Sequence, residues 1–167
     1  MVRYLDKYKI PYRFDRLNKR NKRSLSNTYT RAFNCGGFAL KTFSWYCPFG
    51  RGDGDLDGLY DRFNRDYMTV LQYTVNYMLN DFKGKLRVIQ DLAELQEGEE
   101  AVAYRIETNC WDFHYVRRKQ NGSWYGKMGA CPTIHRYTEE EVFDYESEAW
   151  GFGRYDSEMI LFALIVK

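Results

Sequence analysis

A chain of 167 residues is long enough for one domain with a substantial core and too short for two comfortable ones. Apolar residues make up 44% of it and charged residues 29%, interspersed rather than segregated, which is a globular composition. The net charge of +2 is too small to imply a polyanionic partner for the whole protein, and no stretch approaches the roughly 18 apolar residues of a membrane span.

The N-terminus carries charges throughout and lacks the apolar centre of a signal peptide, so a cytoplasmic, thiol-reducing location is expected. Residues 1–30 read as a basic N-terminal arm, in which Arg13, Arg16, Lys19, Arg20, Lys22 and Arg23 face one Asp15. No aromatic platform interleaves with these charges, which argues against single-stranded nucleic acid as the partner. Asn34 is a good N-cap for a helix over Cys35 to Thr42 that ends before Pro48. After a loop at 49–58, the three- and four-residue steps of Tyr60, Phe63, Tyr67, Leu71, Thr74, Val75, Met78 and Phe82 predict one long amphipathic helix.

Beyond Phe82 the period changes. "LRVI" (86–89) and "AVAYRIE" (101–107) read as strands. Two further strand-like runs flank Asn121-Gly122, a pair favoured in two-residue hairpin turns. Residues 138–150 are acidic and suit a helix, while "MILFALIV" (159–166) is apolar on both faces, as in a buried central strand. The predicted fold is an α+β domain over 31–167, with N-terminal helices packed on an antiparallel sheet.

Four cysteines (Cys35, Cys47, Cys110, Cys131) lie far apart, with no CxxC pair and no histidine at metal-ligand spacing, so nothing calls for a zinc site, a redox dithiol or a cofactor. In "DGDLDG", Asp53, Asp55 and Asp57 match alternate positions of a calcium loop, with Gly58 and Asp61 in place. Position twelve falls on Asn64 rather than the bidentate Glu, and an acidic turn before the long helix is the plainer reading. The four tryptophans, Trp45, Trp111, Trp124 and Trp150, read as core residues.

A helix N-terminus and a nearby imidazole together favour a thiolate, and Cys35 opens its predicted helix. Only two histidines are available as a base. Strand alternation puts Asp112, His114 and Val116 on one face and Phe113 and Tyr115 on the other, which makes His114 the candidate. His135 sits in a loop-like context after "CPTI". Gly36 and Gly37 would let a substrate backbone pass beside the sulfur, and the Cys35 amide would help hold a developing oxyanion.

"NCGGFAL" resembles the nucleophile motif of papain-like cysteine peptidases, notably bacterial NlpC-type enzymes. "DFHYVRRKQNGSWYGKMG" is similar to a bacterial and phage Cys-His family, through Asp112, Phe113, His114, Gly122, Trp124, Lys127 and Gly129. The resemblance covers about 34–129. It implies a papain-like fold, a peptide or amide substrate, Cys35 as nucleophile and His114 as general base. It supplies no third residue to orient the imidazole: the position facing His114 falls near Gly129, and Gly126 stands where such hairpins often carry a polar residue. Asn34, Asp112 and Ser123 remain as substitutes. Two readings follow, a cysteine hydrolase and a catalytically degenerate, phage-type protein that binds a host protein as an inhibitor.

Overall fold

A computed structural model of the chain describes residues 3–5, 10–14, 24–26, 33–42, 44–50, 56–129 and 133–166. The alternating, β-branched and aromatic runs of its second half form an antiparallel sheet with β4 (Leu86–Ile89), β5 (Glu99–Ile106), β6 (Phe113–Arg118), β7 (Trp124–Lys127), β8 (Thr133–Tyr137) and β9 (Ile160–Ile165). Their order is β8-β7-β6-β5-β9-β4, and β1 (Arg3–Leu5), β2 (Ile10–Phe14) and β3 (Ser24–Ser26) extend the sheet beyond β8. Three strands thus lie within the basic N-terminal segment, while the charges between Asp15 and Arg23 fall outside the described residues.

Both faces of the sheet are covered. On one, Val102, Tyr104, Ile106, Phe113, Tyr115 and Phe162 pack against α1 (Cys35–Ala39), α2 (Leu56–Arg62) and α3 (Tyr67–Asp81). On the other, Ala101, Ala103, Val116 and Trp124 pack against Val142, Ala149, Trp150 and Tyr155 of the C-terminal segment. This double burial is why β5 is buried along its whole length. It also explains the apolar C-terminal run: β9 pairs with β5 on one side and β4 on the other.

Several expectations change in detail. The single long helix is two, α2 and α3, because Asn64 and Arg65 adopt left-handed φ of 57° and 56° and the Asp66 side chain then caps α3 by accepting from the Met68 amide. The apolar stripe crosses the break, since periodicity reports which face is buried and not whether the helix is continuous. The acidic segment holds only α4 (Glu139–Phe143), started by a Thr138–Glu141 capping box, and a 3-10 turn at Glu148–Trp150.

The hairpin is present, but its turn is one residue longer than the two-residue form. Lys119 and Ser123 close it, and the left-handed φ falls on Gly122 at 89°, as in a type I turn followed by a bulge. The pair Val116↔Gly126 sets a register that, counted back, brings Met128 and not Gly129 opposite His114. His135 lies on β8, paired with Gly126, and not in a loop.

The helical layer is tied to the sheet by Tyr104, whose buried hydroxyl donates to Thr74 Oγ1 at 2.8 Å. Tyr104→Phe is expected to lower the unfolding free energy by about 1 kcal/mol in urea denaturation, the usual worth of one such bond.

Candidate active site

The site begins with Asn34. Its extended backbone (φ −94°) starts α1, and its side-chain oxygen accepts from the Gly37 amide at 2.9 Å and the Tyr46 amide at 3.0 Å. Its amide nitrogen donates to the Tyr46 carbonyl at 2.7 Å. One side chain therefore caps the helix and staples the returning segment 44–46 across it. Helix α1 stops at Ala39, before Thr42, with Lys41 at a left-handed φ of 59°.

The two glycines after Cys35 serve this staple. A Cβ on Gly37 would lie 1.8 Å from the Ser44 carbonyl oxygen, and one on Gly36 would lie 3.2 Å from the Tyr115 ring and from the Tyr46 carbonyl oxygen. They admit the chain's own backbone, not that of a substrate.

A second tie comes from β7. Lys127 is fully buried, and its ammonium donates to the carbonyls of Phe33 and Gly129, with its Nζ 5.3 Å from the Phe33 ring centroid. The residue that precedes Asn34 is thereby fixed to the end of the hairpin.

Cys35 and His114 line one cavity of about 460 Å³, together with Asn34, Asp112, Trp111 and Tyr155 among others. Their side chains approach it from different layers: Cys35 belongs to the helix-side core, while His114 packs beside Trp150 and Tyr155 of the opposite core. The β6–β7 pairing ends at Val116↔Gly126. Near that point the backbone amides of Tyr115 and Gly36 act on the Cys35 sulfur in the direction that favours its thiolate.

The charge state differs from the expected thiolate. Burial, with the Asp112 carboxylate adding to it, pushes the Cys35 thiol up to about 12, against the opposing pull of the Tyr115 and Gly36 amides and Lys127. Burial first, then the positive charge of Arg154 and His135, pushes the His114 imidazole down to about 3. A five-residue helix and the burial of Cys35, 4% exposed, let desolvation win over the helix terminus. Thiol and imidazole both rest neutral.

The remaining candidates take structural parts. Asn34 is committed to backbone groups. Asp112 accepts from the Phe113 amide, from the Tyr155 hydroxyl at 3.0 Å and from Arg154 at 3.4 Å, and so does not orient His114. Ser123 is in the turn, where its hydroxyl accepts from Arg136. Among the described residues, His114 Nε2 is buried without a hydrogen-bond partner.

Sequence reasoning missed Tyr155, which stacks on the imidazole with centroids 5.0 Å apart; nothing local in "GRYDS" signals it. It also placed all four tryptophans inside. Trp124 and Trp150 are buried, whereas Trp45 and Trp111 are 55% and 76% exposed at the cavity. Asp57, Gly58 and Asp61 lie within α2, a helix rather than a calcium loop, and Asp53, Asp55 and Cys131 lie outside the described residues. Among the described residues no three His, Cys, Asp or Glu side chains converge as metal ligands, and no helix is long and apolar enough to cross a membrane. No protein-family model, curated protein or solved structure matches the chain.

Gly37→Ala is expected to destabilise the protein by about 3 kcal/mol in chemical denaturation, since a rigid carbonyl must move. For His114 the folded value, about 3, is below the ordinary 6.5, so the unfolded chain binds the proton first and stability falls as pH drops from about 6.5 to 3. Denaturation midpoints against pH should show this loss in the wild type and a shallower loss in His114→Phe.

Proposed function

We propose that this protein is a papain-like cysteine hydrolase that cleaves an amide or isopeptide bond through an acyl-enzyme on Cys35. The observation that carries the reading is that Cys35 and His114, remote in the chain, line one cavity of about 460 Å³. Because both groups rest neutral, the thiol proton passes to the imidazole as the sulfur adds to the substrate carbonyl carbon. The C=O electron pair moves to oxygen, where the Cys35 amide, an unpaired type of donor at a first helical position, is the candidate oxyanion partner. Collapse of this intermediate breaks the C–N bond, and His114 returns the proton to the leaving amine. Water, deprotonated by His114, then hydrolyses the thioester and regenerates the thiol. The exposed Trp45 and Trp111 offer flat apolar surface to the substrate at the cavity.

A second reading is a non-catalytic, phage-type protein that keeps the scaffold and binds a host protein. The unpartnered His114 Nε2 favours it.

Alkylation separates the two. Cys35 and Cys110 are buried and Cys47 is more exposed, so accessibility alone ranks Cys47 ahead of Cys35. The hydrolase reading expects iodoacetamide at neutral pH, mapped by mass spectrometry, to modify Cys35 ahead of Cys47, Cys110 and Cys131. His114→Ala should slow that step about 10-fold or more. Labelling led by Cys47 and indifferent to His114→Ala would leave the binding reading in its place.

A further inference from the structure

A general base works only when its ring is held in one orientation, and that is usually achieved by a hydrogen-bond acceptor on its far nitrogen. Among the described residues no acceptor reaches His114 Nε2, and the room beside it on β7 is taken. A Cβ on Gly126 would lie 3.8 Å from His114 Nε2, but also 3.0 Å from both the Tyr137 ring and a Val116 methyl group. Apolar groups already crowd the place from which a neighbouring strand would orient the imidazole.

We infer that Tyr155 is the positioning residue of His114, holding the imidazole by ring stacking where a hydrogen-bonding orienter would otherwise act. The inference rests on the hydrolase reading. The two rings are 25° from parallel, and Trp150 closes a second side edge-on, with centroids 5.8 Å apart and planes at 89°. Rotation of the imidazole about its Cβ–Cγ bond would drive it into one or the other.

Tyr155 is itself held. Its hydroxyl donates to Asp112, two residues before His114, so the stacking ring is anchored to the segment that leads into β6. The Arg154 guanidinium lies 5.1 Å from the Tyr155 ring centroid and is bonded to Glu107 at 2.6 Å. Trp150 is fixed by its indole N–H donating to the Val142 carbonyl at 2.7 Å. Tyr155 is 2% exposed and lines the same cavity as Cys35 and His114.

The test compares wild type, Tyr155→Phe and Tyr155→Leu in two measurements: the rate of Cys35 alkylation by iodoacetamide, and the ring-nitrogen NMR signals of His114. Tyr155→Phe keeps the stack and should stay within about 3-fold of wild type, whereas Tyr155→Leu should slow alkylation about 10-fold or more. In Tyr155→Leu the His114 signals should change from those of one tautomer to an exchange-averaged pattern, and in Tyr155→Phe they should not. A wild-type rate and tautomer in Tyr155→Leu would overturn the inference, as would equal losses in both variants, which would assign the role to the hydroxyl. If Tyr155→Leu does not fold, Tyr155→Met, of similar reach without a flat ring, takes its place. A wild type whose Cys35 shows no preference would sink the hydrolase reading, while the NMR measurement would still report on the stack.

Discussion

The buried ammonium of Lys127 joins the two pieces of chain from which the candidate site is made. An ammonium removed from water costs several kcal/mol unless its donors are used, and here they bind the carbonyls of Phe33 and Gly129. Phe33 leads into Asn34 and α1, while Gly129 follows β7. The helix that presents the sulfur and the hairpin that presents the imidazole are thereby held at one distance. Asn34 continues the chain of fixed groups by spending its whole amide on the backbone of Gly37 and Tyr46. A thiol at the first position of a five-residue helix has no positional precision of its own; these two side chains supply it.

The same burial sets the electrostatics. A cysteine and a histidine enclosed between two cores are both driven to their neutral forms, because the low-polarity surroundings penalise charge more than one helical turn and two amides favour it. Chemistry at such a site depends on orientation more than on a preformed ion pair. The aromatic enclosure of His114 supplies orientation without adding a charge that burial would penalise. The neighbouring carboxylate, Asp112, acts at one remove through the Tyr155 hydroxyl, and Arg154 balances it.

Much of this was legible in the sequence where local chemistry governs. The N-cap at Asn34 followed from the short-range hydrogen bonding of an Asn side chain. The faces of β6 followed from two-residue alternation, which put His114 and Val116 together and Phe113 and Tyr115 on the other side. The division of the long helix at Asn64–Arg65 was hidden because the apolar stripe continues through it. The extra residue in the hairpin turn was hidden because Asn-Gly fits two turn types, which differ in where the left-handed residue falls. β8 was missed because a five-residue strand on the far side of residues outside a clear alternation carries little signal.

By itself the sequence determined which residues could carry chemistry, one candidate thiol and two imidazoles, and the α+β alternation that separates them, since both depend on side-chain type and short-range periodicity. Only the tertiary structure decided that Cys35 and His114 share a cavity, that both rest uncharged, that Gly36 and Gly37 receive the chain's own backbone, and that Tyr155 lies against His114. Those facts arise from burial and from contacts between segments tens of residues apart, and desolvation is a property of the packed molecule that no local stretch encodes.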